Sequence, residues 1–121
     1  MITREQLRAQ AAYRAIKNAE GSAWTKEYGR QCLHLPALIH QCGLCQALTF
    51  LEAKAPKRHE CEHLLADIVS VAALGSTDRV REAELTEYQR LTREALACAQ
   101  WFKRYAEAIL RVEAGGEEGK N

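Results

Sequence analysis

Only two prolines interrupt this chain of 121 residues. β-branched residues do not cluster, so long stretches are open to helix and few are suited to sheet. Charge of one sign is also missing, with 17 Lys+Arg against 16 Asp+Glu and a formal net charge of +1. A strongly basic, free-standing nucleic-acid binder is thereby disfavoured, because affinity for phosphate scales with the number of cations facing it. Any such role must come from a local stripe of charge or from partners that supply the rest. No apolar run approaches the ~18 residues that suggest a membrane span. The start, Met1-Ile2-Thr3-Arg4-Glu5-Gln6, turns polar at once and lacks the apolar stretch of a signal peptide. A cytoplasmic protein is expected, and there the thiols of Cys32, Cys42, Cys45, Cys61 and Cys98 stay reduced. A glycine-rich phosphate loop and Gly-x-Ser-x-Gly are absent from the sequence, and neither a catalytic centre nor a cofactor is expected.

What remains is rich in Ala, Leu, Glu, Gln, Arg and Lys, the better helix formers. A content of 47% hydrophobic and 27% charged residues is that of a globular domain and excludes a disordered chain. Thr3 and Gln6 form a capping box, after which Ile2, Ala9, Ala12, Tyr13, Ile16 and Ala19 share one helical face. Gly21-Ser22 breaks the pattern. A second helix is expected from about Ala23 to the middle thirties, with its neighbour opening at Pro36: an interior proline costs a hydrogen bond and clashes, so Leu35-Pro36 marks a boundary or a kink. Leu35, Leu38, Ile39 and Cys42 keep the helical period up to Gly43, and Leu44, Ala47, Leu48 and Leu51 resume it. Residues 53–58 read as a basic loop, His59 to about Leu74 as the next helix, and Gly75 to Asp78 as the caps of a short helix reaching Ala83. Thr86 with Gln89 forms a second capping box, opening the longest element, to about Val112. The expectation is an all-α single helical bundle of five to six helices over residues 1–113, with a disordered tail over 114–121.

The last helix carries most of the information. Counting about 100° per residue, Leu91, Ala95, Cys98, Ala99, Phe102, Ala106, Ile109 and Leu110 form one apolar stripe. Arg93, Arg104 and Arg111 fall near the opposite pole, with Glu107 as the only acid there. Such a line suits phosphate, because a guanidinium offers paired donors to phosphate oxygens, although charged outer faces are also ordinary solvated surface. Trp101 lies off the stripe and could serve as a stacking platform, a partner anchor or packing against a second neighbour. Lys54, Lys57 and Arg58, with Lys26 and Arg30 earlier, are further cations of the same kind.

Cys42-Gly43-Leu44-Cys45 has the spacing of half a zinc site, which His59, Cys61 and His63 could complete. Against this, Cys61 falls on the apolar stripe of its helix and His63 two positions on points away. Cys42 continues the period of Leu35, Leu38 and Ile39 as a small core hydrophobe, and no second Cys-x-x-Cys closes the set. No metal is expected.

Two blocks taken together resemble a known family. The first runs Lys26-Glu27-Tyr28 through Leu35-Pro36-Ala37-Leu38-Ile39 and on through Cys42-Gly43-Leu44-Cys45-Gln46-Ala47-Leu48-Thr49-Phe50-Leu51. The second is Tyr88-Gln89-Arg90-Leu91-Thr92-Arg93-Glu94-Ala95-Leu96, followed by Trp101-Phe102-Lys103-Arg104-Tyr105-Ala106-Glu107-Ala108. In that order they are similar to the small helical subunit of the type III-B CRISPR effector, the Cmr complex, over residues 13–109. The resemblance implies an all-helical, non-catalytic subunit that stacks in several copies beside other Cmr subunits and lines a basic channel along crRNA and target RNA. Base pairing then reads sequence while protein holds the backbone. On charge placement alone, Arg30, Lys54, Lys57, Arg93, Arg104 and Arg111 are the expected RNA contacts. Tyr13, Trp24 and Trp101 are the expected subunit contacts, since head-to-tail stacking needs two different patches. The competing reading is a helical protein–protein adaptor without nucleic-acid contact, which would use Trp101 and apolar neighbours instead of the arginines.

Overall fold

The computed structural model describes residues 1–113 and builds them from helices alone, α1 (Arg4–Ala19), α2 (Thr25–Cys42), α3 (Leu44–Lys54), α4 (His59–Val71), α5 (Thr77–Glu82) and α6 (Leu85–Ala108). The all-α expectation holds for these residues; the tail expected over 114–121 lies outside them. Helix α6 packs against both α2 and α1, α2 also meets α4 and α3, and α5 closes on α3. Tyr28, Ile16, Leu35, Ile39, Leu48, Leu64, Ile68, Leu91 and Phe102 fill the space between them and are essentially inaccessible. None of these helices is long and apolar enough to cross a membrane.

The capping box of α1 is present, with the Gln6 N–H donating to Thr3 Oγ1 at 3.1 Å and the Thr3 N–H to Gln6 Oε1 at 2.8 Å. The buried face is Ala12, Ala15, Ile16 and Ala19, three alanines that let the backbone approach its neighbours around one large side chain. Three members of the expected stripe lie outside it. Ile2 precedes the cap and so escapes the helical period, Ala9 is half-buried, and Tyr13 sits at the edge of the face, 44% exposed.

Pro36 is not a boundary. Helix α2 runs unbroken from Thr25 to Cys42 with the proline inside it and buried. The missing N–H deprives the Cys32 carbonyl of its helical donor, a local cost of about 3 kcal/mol. Packing of Tyr28, Cys32, Leu35 and Ile39 against three other helices outweighs it. The stop comes at Gly43, whose φ of +89° suits a residue without Cβ. Its N–H closes α2 on the Ile39 carbonyl at 2.8 Å, and its own carbonyl accepts from the Ala47 N–H at 3.0 Å to open α3. The start of α3 is capped from α6, where the Tyr88 hydroxyl accepts from the Cys45 N–H at 2.9 Å. Cys42, expected in the core, is exposed, because the inward face of α2 ends at Ile39.

Both ends of α6 also differ from expectation. It starts at Leu85 with Glu84 in the cap position and no side-chain cap bond, so Thr86 lies inside the helix and the Thr86–Gln89 box does not form. It stops at Ala108. The chain then bends through Arg111 at φ +62°, and the Val112 N–H returns to the Ala106 carbonyl at 3.2 Å. This wrap buries Val112 over Gly29 of α2, where a Cβ would collide with the valine Cγ2.

Candidate functional site

The arginines divide into two groups. One group is engaged by carboxylates. Arg8 Nε and Nη2 each donate to Glu94 at 2.8 Å, tying α1 to α6. Arg79 and Arg90 grip Glu87 from both sides at 2.6 and 3.0 Å. Their hydrogen bonds, Arg90 before Arg79, hold the Glu87 carboxyl at about 2. Arg79 also donates to the Ala73 and Leu74 carbonyls at 3.3 Å, closing the end of α4. Arg81 reaches Asp78 at 2.8 Å and Glu52 at 3.3 Å.

Arg14, Arg93, Arg104 and Arg111 belong to the second group: they are exposed and form no ion pair among the described residues. Arg93 and Arg104 lie eleven positions apart on the outer line of α6, which places them about 16 Å apart along the axis. Arg111, expected on the same line, is not there, because the helix has ended before it. The wrap instead brings it to α2, where Lys26, Arg30, Arg111, Val112 and Glu113 line a depression of about 200 Å³. Two expected RNA contacts, Arg30 and Arg111, are thus brought together with Lys26 from distant parts of the sequence. Lys54 is half-buried with its Nζ 5.0 Å over the Phe50 ring, and Lys57 is exposed in the turn between α3 and α4.

The three aromatics expected at subunit contacts fall in two places. Trp24 stacks on His63 at 4.3 Å and tilts against Tyr28 at 5.8 Å, where α2 meets α4. Trp101 and Tyr13 are joined through Tyr105, at 5.4 and 5.6 Å between ring centroids. Tyr105 is invisible as a link in sequence, because the contact depends on how α1 lies on α6. The Trp101 indole N–H donates to Glu5 Oε2 at 2.9 Å, and Glu5, Gln100, Trp101 and Arg104 surround a depression of about 330 Å³.

The cysteines disperse. Cys32, Cys61 and Cys98 are buried, Cys45 is half-buried and Cys42 faces outward. His63 lies under Trp24 rather than beside Cys61. Burial pushes the Cys98 thiol up to about 12 and that of Cys32 well above the ordinary range. Among the described residues no three His, Cys, Asp or Glu side chains converge in a way that could hold a metal ion.

The architecture is that of a small all-helical protein whose last helix carries exposed arginines. The family model described as CRISPR-associated protein (Cas_Cmr5) matches residues 4–109. A relative from Thermus thermophilus, the CRISPR system Cmr subunit Cmr5, is 41% identical over 112 residues, spanning 91% of this chain and 98% of its own length. The X-ray crystal structure of a CRISPR-associated Cmr5 family protein from the same organism has a TM-score of 0.83 at 40% identity, covering 91% of this chain and 99% of that one. The chain belongs to the Cmr5 family, small subunits of the type III-B CRISPR effector.

Proposed function

We propose that this chain is a non-catalytic subunit of a cytoplasmic Cmr ribonucleoprotein in antiviral defence, stacked with further copies of itself and holding the backbones of crRNA and target RNA. The observation that carries the reading is the division of the arginines. Those that join helices are neutralised by carboxylates, while Arg93, Arg104 and Arg111, like Arg14 on α1, are left facing outward without an ion pair among the described residues. A net charge of +1 suits this role, because each stacked copy need supply only a few phosphate contacts while its neighbours supply the rest. For the contact between copies we retain Trp24, which is half-exposed over His63. The alternative, an adaptor using Trp101, would meet a rim of Glu5, Gln100 and Arg104 at that ring, with Tyr105 packed behind it.

The test is Arg93→Glu with Arg104→Glu in every copy of an assembled complex, scored by target-RNA retention across a salt series. Retention should fall, and the dependence on salt should flatten by about one unit of slope for each phosphate that is no longer neutralised. The isolated variant should melt as the parent does, since both side chains are exposed. Retention unchanged at low and high salt sinks the reading.

A further inference from the structure

The depression beside Trp101 has a chemistry that the fold does not use. Its lining is one large aromatic, one cation, one amide and one carboxylate: Trp101, Arg104, Gln100 and Glu5. The carboxylate is already occupied, accepting from the indole N–H at 2.9 Å and facing Arg8 Nη1 at 3.4 Å. With its only polar hydrogen satisfied inside the protein, the indole has nothing but its ring surface to offer outward. The ring is backed by Tyr105 and, through it, by Tyr13, so it is a braced platform rather than a swinging side chain. Arg104 stands at its rim with no ion pair among the described residues, and the Gln100 side chain is exposed beside it.

We propose that this depression receives one unpaired nucleobase of single-stranded RNA, stacked on Trp101, with its phosphate at Arg104 and its edge within reach of the Gln100 amide. The inference rests on the RNA-holding function above and gives it a particular seat. Two features favour a nucleotide as the occupant. Aromatic platforms beside a cation are the recurring device for single strands, because every base has a π-face and every nucleotide a phosphate. The depression of about 330 Å³ sits at the small end of ligand sites, which start at about 300 Å³, and so suits a single nucleotide. On this assignment Tyr13 and Trp101 face RNA rather than a neighbouring copy.

The test uses the assembled complex carrying target RNA substituted with iodouridine, which photo-crosslinks to aromatic rings stacked on it. After irradiation, the adduct is mapped by mass spectrometry, and retention of unmodified RNA is measured in parallel. The expected adduct lies on Trp101. It should disappear in Trp101→Leu and persist in Trp101→Phe, which keeps a ring but loses the N–H bond to Glu5. Retention should drop about fivefold or more in Trp101→Leu, as for loss of one stacked base. Thermal melting of each variant establishes that the fold is intact. An adduct confined to other residues, or one undiminished in Trp101→Leu, overturns the proposal even where retention depends on this subunit. If complexes lacking the subunit retain RNA equally well, the RNA-holding function falls and this seat falls with it.

Discussion

Arg8 on α1 and Glu94 on α6 stand 86 positions apart in the sequence and meet through two parallel hydrogen bonds of 2.8 Å, Nε to Oε2 and Nη2 to Oε1. Arg4 adds a third contact to the same carboxylate at 3.3 Å, and Cys98 Sγ lies 3.7 Å from it. The forked geometry does more than attract. It fixes the angle and the register of α1 on α6, because a bidentate pair tolerates little displacement. That register is what brings Tyr13 to Tyr105 and Glu5 to Trp101.

Replacing Glu94 by Gln should therefore cost about 1–2 kcal/mol at neutral pH. This is less than a fully buried pair would lose, because about a fifth of each side chain still meets water, 21% for Arg8 and 18% for Glu94. The Arg8 hydrogen bond, followed by the charges of Arg8 and Arg4, holds the Glu94 carboxyl below its ordinary range. A depressed native value means that this stabilisation is complete above the unfolded carboxyl value of about 4.3 and is lost as pH falls through the native one. Urea titrations at neutral and acid pH should show the parent and the variant converging in acid. A constant gap would mean that the charge of Glu94 is irrelevant.

Gly29 and Val112 make a second long-range pair, and steric exclusion links them. A methyl group at position 29 has no room under the Val112 side chain, so Gly29→Ala should cost about 1–3 kcal/mol, as other insertions into packed interiors do. The discriminating measurement is a double-mutant cycle with Val112→Ala. Removing the valine methyl groups should relieve part of the clash, so that the double variant is more stable than the sum of the two singles predicts. Strict additivity would show that the wrap over α2 is not held by this contact.

The inward residues of α3 and most of those of α1, α4 and α6 are readable from spacing, because each of these helices buries one face and its polar residues record that fact. Pro36 misleads because the rule against interior proline is local, while the packing that overrides it comes from α4 and α6. The Thr86–Gln89 box fails for the same kind of reason. A capping motif only competes for a helix start, and here the chain entering from α5 is already helical at Leu85. Arg111 is misplaced by any helical projection extended past the point where the chain turns, and no residue near it signals a stop. At the candidate site, Arg93 and Arg104 are legible as an outer line. The meeting of Lys26, Arg30 and Arg111, and that of Tyr13, Tyr105 and Trp101, are not legible, because they depend on how one helix lies on another.

Asp67 provides a control of opposite sign to Glu94. The buried Tyr28 hydroxyl donates to its Oδ2 at 2.5 Å, yet burial dominates and raises the Asp67 value above normal. A carboxyl with a raised native value favours the folded state while protonated. Its contribution is complete below the unfolded value of about 3.9 and is lost as pH rises through the native one. Asp67→Asn should therefore match the parent in acid and exceed it in stability near neutrality, since the amide oxygen can still accept from Tyr28. Tyr28→Phe should cost about 1–2 kcal/mol at either pH, by leaving the carboxyl without its donor. Denaturant midpoints across pH check both, and a neutral-pH loss in Asp67→Asn would contradict the assigned direction.

Arg111 sets stability against function at a single position. Its φ of +62° is a left-handed conformation, which costs a residue with a Cβ about 1 kcal/mol relative to glycine. Arg111→Gly should thus stabilise the isolated chain by about 0.5–1 kcal/mol, read as a raised denaturant midpoint, provided that Val112 stays in place. In the assembled complex the same change removes one of the three cations gathered with Lys26 and Arg30. Target-RNA retention should weaken there, most at low salt, where phosphate contacts count most. Arg111→Lys keeps the charge and the strained backbone, so it should leave stability near that of the parent and restore most of the retention. Full retention in Arg111→Gly would release this position from any role beyond turning the chain. A loss of stability would mean that the guanidinium itself holds the wrap.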